Sequence, residues 1–242
     1  MASARVYVGI DVRLRVLTWN LMHGRAVGGP GVGAPERFGT DLLADFADAL
    51  AGWEWDVALL QEVPPWWPAM LSRRLDADCR MVLTSRNALL ALRRAIAIRW
   101  PDLIKSNGGG ANAILVRRDR IVSHRMQRLC RWPERRWVHG VQLASGVWLA
   151  NLHATAHDTD AAWRDGRAAA AASQRCAAGN PLVLGGDFNL RQPAFDGMVR
   201  VASRDVDHLF VAGLQRDGGA DVLERGVLSD HPPLVASTTA TA

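Results

Sequence analysis

Five apolar stretches of this chain border on a polar residue that could bind a cation or move a proton. Asn20 closes LRVLTWN, and Glu62 closes the run that starts at Asp56. His153 closes VWLANLH, Asp187 closes PLVLGGD, and Asp230–His231 precedes the last apolar run. Taken singly, each is explained as a turn residue, because Asn and Asp are common in turns. Five together point to a site, since ligands of layered α/β folds gather beyond strand ends. Spacing adds to this. Asp187 and Asn189 are two residues apart, as are Asn151 and His153, so each pair shares a face of an extended chain. Gly185 and Gly186 remove side chains beside Asp187 and leave room for a substrate or for close backbone approach. Asp207–His208 lies in the apolar run VDHLFV, where a carboxylate needs a partner and an imidazole would serve as one.

The donors are carboxylates, imidazoles and amides, with no thiolate cluster. Oxygen donors favour a hard cation, Mg²⁺ or Mn²⁺, over zinc. Zinc through His153 and His231 stays open, although no HExxH or CxxC spacing supports it. GGGANA lacks the Gly-Lys-Ser/Thr ending of a phosphate-binding loop, GRAVGGPGVG contains no GxGxxG, and there is no GxSxG elbow.

Strands and helices must carry these residues. Residues 14–20 and 56–62 read as buried strands, and Pro64–Pro65 stop the second ahead of a helix near Trp66. Residues 24–39 read as a Gly/Pro-rich loop, and 41–53 as a helix with Leu42, Leu43, Phe46, Ala49 and Leu50 on one face. Further strands are expected at 79–84, 111–117, 120–130, 136–143, 147–153, 181–187, 206–212, 219–224 and 233–237. Residues 86–105 read as a basic helix followed by a loop. The Ala-rich segment Asp158–Ala178 is a helix ending at Gly179. Helices between groups of strands suggest sheets covered by helices. With no repeat or linker, residues 1–242 read as a single domain with its core at about 14–236.

The 242 residues are 49% hydrophobic and 22% charged, which excludes a disordered or fibrous chain. Net charge is +5, almost all of it from arginine, since Lys105 is the only lysine. A GC-rich genome explains that as well as an anionic partner does. Cys79, Cys130 and Cys176 form no metal or disulfide pattern and are expected to be buried thiols in a reducing cytoplasm. No apolar run is long enough to span a membrane and no signal peptide is apparent, so the expectation is a cytoplasmic monomer.

The motifs TWN at 18–20, LLQEV at 59–63, GANAILVRR at 110–118, ANLH at 150–153, GGDFN at 185–189, DH at 207–208 and SDH at 229–231 stand in a distinctive order. In that order the chain resembles the endonuclease/exonuclease/phosphatase superfamily, which includes pancreatic-type deoxyribonucleases, abasic-site endonucleases, bacterial sphingomyelinases and inositol-polyphosphate phosphatases. The resemblance implies an α/β four-layer sandwich, two packed mixed β-sheets flanked by helices, and metal-dependent phosphoester hydrolysis. By the same resemblance, Glu62 is the main Mg²⁺ ligand, with Asn20 beside it and Asp230 as a carboxylate near the metal. Asp187 orients or deprotonates the attacking water, and Asn189 positions water or phosphate. Asp207 and His231 form a pair. His153 contacts the phosphate or serves the leaving group, and Asn112 lies beside the scissile phosphate. Val116, Leu152 and His208 depart from the Ser, Thr and Tyr common at those places, which bears on the subfamily.

The expected substrate is a phosphoester, with nucleic acid first because of basic segments at 86–105 and 131–136. Trp66, Trp67, Trp100, Trp132 and Trp137 could offer stacking surfaces near them. The alternatives are a small-molecule or lipid phosphoester, and a non-catalytic binding module on the same fold.

Overall fold

A computed structural model describes residues 13–27, 41–84, 87–99, 110–132 and 134–240. The strands are β1 (Arg13–Asn20), β2 (Val57–Val63), β3 (Asp78–Leu83), β4 (Ala111–Val116), β5 (Ile121–Cys130), β6 (Arg136–Leu143), β7 (Trp148–His153), β8 (Leu182–Asp187), β9 (Val199–Arg204), β10 (Asp207–Ala212), β11 (Leu214–Val222) and β12 (Leu234–Ala240). The helices are α1 (Leu43–Gly52), α2 (Trp67–Leu75), α3 (Leu90–Arg99) and α4 (Thr159–Ala177). Two six-stranded sheets form, in the orders β11-β12-β1-β2-β4-β3 and β5-β6-β7-β8-β10-β9. Within each, one central pair is parallel, β1 with β2 and β7 with β8, and the other pairs are antiparallel.

The central strands are continuous apolar runs because both faces are covered. Val16, Leu59 and Ile114 of one sheet pack against Val141, Leu149, Val183 and Leu209 of the other. On the outer face of the first sheet, Phe46 and Leu50 of α1 and Leu71 of α2 cover Leu17, Trp19 and Leu60. On the second, Ala162, Ala169 and Ala170 of α4 cover Trp148, Leu184 and Phe210. The result is helix, sheet, sheet, helix, the expected four-layer sandwich. Truncating a side chain such as Leu59, fully buried between the sheets, would cost about 2–5 kcal/mol.

α4 is fixed at its start by Asp158, whose Oδ1 accepts from Ala161 N–H at 2.9 Å. Asp165 on the same helix accepts from Thr155 N–H (2.9 Å) and Thr155 Oγ1–H (2.7 Å), which ties down the chain just after His153. The left-handed turn that ends α4 begins at Ala178 (φ 49°) and continues through Gly179 (φ 87°), so glycine occupies its second position.

Three expectations change. The strand β9 has no counterpart among the expected strands; its buried residues, Val201 and Ala202, are adjacent and do not alternate. β11 begins earlier, at Leu214, and slips register between Arg216 and Ala220. The three cysteines are free but half-buried. Most of the expected loop at 24–39, together with Trp100, Lys105 and the loop after α3, lies outside the described residues. Among the described residues no helix is long and apolar enough to cross a membrane.

Candidate active site

Asn20 ends β1, Glu62 is the next-to-last residue of β2, His153 ends β7 and Asp187 ends β8, while Asp207 begins β10. The sheet registers bring these ends to one edge of the sandwich. β1 lies beside β2, His153 is level with Asp187 across the parallel pair, and Asp187 is level with Asp207 across the antiparallel one. Both glycines before Asp187 are needed for packing. Gly186 has φ 142°, and a Cβ there would collide with the Leu152 carbonyl; a Cβ on Gly185 would lie 2.7 Å from Leu59 Cδ1. The space they free is filled by the protein itself and does not open onto the site.

Asp187 is the hub. Its Oδ2 accepts from Asn20 Nδ2–H at 3.0 Å, and its Oδ1 accepts from Asn189 N–H at 2.9 Å. The same Oδ2 lies 3.7 Å from His153 Nε2 and 3.9 Å from His231 Nε2. Burial and the neighbouring Asp207 carboxylate push Asp187 up to about 7, against the pull of His231 and the two hydrogen bonds. Asn189, left-handed at φ 52°, donates from Nδ2 to Ala154 O at 3.1 Å.

His231 Nδ1 meets Asp207 Oδ2 at 2.7 Å. Burial works against the imidazolium. The Asp207 hydrogen bond and the charges of Asp207, Asp187 and Asp230 overcome it and push His231 up to about 9. Burial raises Asp207 too, and its bond with His231 draws it back. With Nδ1 held by the carboxylate, Nε2 is turned toward Asp187. The partner of Asp207 is therefore His231. His208, next in sequence, points to the other face, where its Nε2 meets Leu190 O at 2.6 Å among Phe188 and Phe210. The turn bearing His231 is anchored to β1: Ser229 Oγ–H donates to Asn20 O at 2.6 Å, and Trp19 Nε1–H donates to His231 O at 2.8 Å.

Glu62 sits in a break of the β2–β4 register with φ 50° and a side chain 24% exposed. Its Oε1 stands 3.7 Å from His153 Nε2, too far for a hydrogen bond. Burial, with the nearby charges of Arg136, His23 and His231, holds His153 well below the usual imidazole range, so its ring is neutral. Asn112 lies on β4 opposite the same break. It is buried, and both atoms of its amide lack a hydrogen-bond partner among the described residues. Asp230, its side chain 56% exposed, lies at the rim with Oδ1 3.9 Å from His231 Nε2. Ligand atoms of Asp187, Asp207 and His231 lie within 4.8 Å of one another, but Asp207 and His231 are already engaged with each other. Glu62 therefore offers the more open oxygen. Glu62, Asn20 and Asp230 are oxygen donors without sulfur, a chemistry that suits a small divalent cation.

Two features were not evident from the motifs. His23, three residues after Asn20, places Nε2 3.1 Å from Glu62 Oε2. Its only signal was a histidine beside Gly24 in the turn after TWN. Gln61 and Asn151 bridge the sheets: Gln61 Nε2–H donates to Asn151 Oδ1 at 2.8 Å, and Asn151 Nδ2–H donates to Leu60 O and Ala113 O, each at 2.9 Å.

The expected basic segments lie to one side of this edge, where β3 stacks on β5 and β6. α3 lies between β3 and β4, with Arg94 and Arg99 exposed, and Asn87 just before it donates to Gly110 O at 3.0 Å. The β5–β6 turn projects at the His153 end and carries exposed Arg131, Arg135 and Trp132, the last 83% exposed. Arg136 differs from expectation: it is buried and paired with Glu134 at 2.6 Å. Trp67 is also core, and Trp66 and Trp137 are half-buried, so among the described candidates Trp132 presents the free ring.

The sequence model of the Endonuclease/Exonuclease/phosphatase family matches residues 17–231. No curated protein matches the chain. Among solved structures, TDP2 from C. elegans is similar at 16% identity over 94% of this chain and 75% of that one, with a TM-score of 0.63. A mannosyl-6-phosphatase from Bacteroides thetaiotaomicron is similar at 17% identity over 93% and 99%, TM-score 0.63. A conserved protein of unknown function from Enterococcus faecalis is similar at 14% identity over 94% and 100%, TM-score 0.65. At these identities the likeness establishes the fold.

Proposed function

This chain belongs to the Endonuclease/Exonuclease/phosphatase family, and from that premise we propose that it is a divalent-metal-dependent phosphodiesterase acting on nucleic acid. The observation that carries the hydrolytic reading is the hub at Asp187. A carboxylate lifted to about 7 stands between a neutral His153 and a protonated His231. Groups pushed to opposite protonation states in one cleft are what acid–base chemistry at neutral pH requires.

Asp187 orients the attacking water and takes its proton, and Asn20 and Asn189 keep the carboxylate aimed. The His231 imidazolium, held by Asp207, stabilises charge gathering on the phosphoryl oxygens. His153 donates to the phosphate or to the leaving oxygen, and the Asn112 amide, without a partner among the described residues, binds a non-bridging oxygen. Glu62, Asn20 and Asp230 hold Mg²⁺ or Mn²⁺. Such an ion, when bound, supplies Lewis-acid neutralisation of the phosphoryl and leaving oxygens.

Nucleic acid is favoured by the exposed arginines of α3 and of the β5–β6 turn, which stand on one flank of the edge where β3 stacks on β5 and β6, with Trp132 as a stacking face. A small phosphoester is the second reading, favoured by the near-complete mutual coverage with the mannosyl-6-phosphatase. The test is turnover of plasmid, single-stranded DNA, RNA, a chromogenic diester, a sugar monophosphate and phospholipid with Mg²⁺, Mn²⁺ or EDTA. Metal-dependent cleavage of DNA or RNA is expected. Full activity in EDTA would overturn the metal reading, and turnover of the monophosphate alone would overturn the substrate.

A further inference from the structure

The turn after β1 adopts an unfavourable backbone. Met22, His23 and Gly24 have φ of 47°, 55° and 73°, a region that only glycine enters freely. Its surroundings hold it there. Asn20 Oδ1 accepts from Met22 N–H at 3.0 Å, Leu21 N–H donates to Gln61 O at 2.8 Å, and Gly24 N–H donates to Leu21 O at 2.7 Å. The Trp67 indole lies against Gly24, where an added Cβ would come 2.7 Å from Cζ2. Glu62, on the neighbouring strand, is also left-handed at φ 50°. Both members of the His23–Glu62 contact thus occupy strained backbone. Strain of this kind persists where the surrounding structure over-determines it, and it clusters at functional sites.

We infer that His23 is a positioning residue for Glu62: its Nε2–H holds Oε2, so that the carboxylate presents Oε1 alone to the divalent cation. This rests on the reading of Glu62 as a metal ligand. His23 Nε2 is 3.1 Å from Glu62 Oε2, within ion-pair distance, whereas Nδ1 has no partner among the described residues, so the ring's polar contact is with this one carboxylate oxygen. A carboxylate with one oxygen engaged resists turning to chelate through both, and a small octahedral ion accepts single oxygens more readily than a narrow bidentate bite. Outer-shell donors of this type change metal affinity by about 10–100-fold. The ring also packs near Gly110, where an added Cβ would lie 3.6 Å from Cε1. Packing alone would be served by any ring of similar size, and that difference separates the two roles.

The experiment measures Mn²⁺ binding to the full chain by electron paramagnetic resonance of the free ion at fixed pH. The proteins are wild type, Glu62→Gln, His23→Phe, His23→Gln and His23→Asn, with urea midpoints in EDTA to establish folding. Glu62→Gln is expected to weaken binding. His23→Phe should weaken it about tenfold or more. His23→Gln, which keeps a donor at the reach of Nε2, should bind close to wild type, and the shorter His23→Asn should not. If Glu62→Gln binds Mn²⁺ as wild type does, the ligand reading fails and the inference with it. If Glu62→Gln weakens binding while His23→Phe binds as wild type does, the inference alone is overturned. Should His23→Phe not fold, wild-type binding in His23→Asn overturns it equally.

Discussion

Asp207→Asn isolates what one buried carboxylate does for His231. The substitution keeps the shape at the start of β10 and removes the charge 2.7 Å from Nδ1. In the intact protein burial opposes the imidazolium, and Asp207 is the leading cause of the rise from 6.5 to about 9. That rise is worth roughly 3 kcal/mol of preference for the protonated ring. Without it the ring returns toward 6.5, and at pH 7.5 the imidazolium fraction falls from nearly all to roughly one tenth. kcat/KM should therefore fall at least about tenfold at pH 7.5 from protonation alone, and the loss should shrink as the pH is lowered to 6. Stability follows the same proton. A folded-state pKa raised above the unfolded one gives a contribution that is fully present below 6.5 and is lost as pH rises through about 9. In EDTA the stability advantage of wild type over Asp207→Asn should narrow by up to roughly 3 kcal/mol between pH 6 and 9.5. The assays are imidazole nitrogen NMR titration in EDTA, with the resonance assigned through His231→Gln, and urea unfolding at the two pH values. A wild-type His231 that titrates near 6.5, or one that stays near 9 in Asp207→Asn, would refute the reasoning. The double variant Asp207→Asn/His231→Ala should be little slower than His231→Ala, because both changes disable the same imidazole.

Asp187→Asn should trade function for stability. Its folded-state pKa is raised from 3.8 to about 7, so its contribution is present below 3.8 and lost as pH rises through 7. The variant should have a higher urea midpoint than wild type in EDTA at pH 8, with the gain fading toward pH 4, and turnover about 10²–10⁴-fold lower; a lower midpoint at pH 8 would contradict the burial cost. Asn151→Leu strands the carbonyls of Leu60 and Ala113 and the Gln61 donor between the sheets, at a cost of about 3 kcal/mol or more by urea unfolding. A loss well below 1 kcal/mol would mean that the bridge is dispensable. If nucleic acid binds, Arg94→Ala and Arg131→Ala should each flatten the log–log salt dependence of duplex binding by about 0.9 and leave hydrolysis of a chromogenic diester nearly intact. Buried Arg136, tied to Glu134, should instead destabilise the fold when replaced; a slope unchanged by both Arg94→Ala and Arg131→Ala would point to a small substrate.

Much of this edge was legible because the signal is local. An apolar run that stops at a carboxylate, an amide or an imidazole specifies both a buried strand and the group that leaves it, as for Asn20, His153 and Asp187. α4 was legible from its alanines and from Asp158 at its start. β9 was not, because its charged residues follow the needs of an edge strand, and pairing with β10 is what orders it. The core position of Trp67 and the burial of Arg136 were equally hidden, since neither a ring nor a guanidinium reveals in sequence which side of its strand or helix faces solvent.

By itself the sequence determined which chemical groups are available, at which strand ends they stand and in what order, since these depend on residue type and a period of two. Only the tertiary structure decided which groups meet and how they are protonated. Asn20 reaches Asp187 across 167 positions, and the Asp207–His231 pair, which only the family resemblance had implied against the adjacent His208, closes at 2.7 Å. Glu62 meets His23 through two left-handed residues that no periodicity foretells. The physical reason is that a pKa is set by burial and by charges a few ångströms away. Both arise only when the two sheets close on each other and bring distant segments to a common edge.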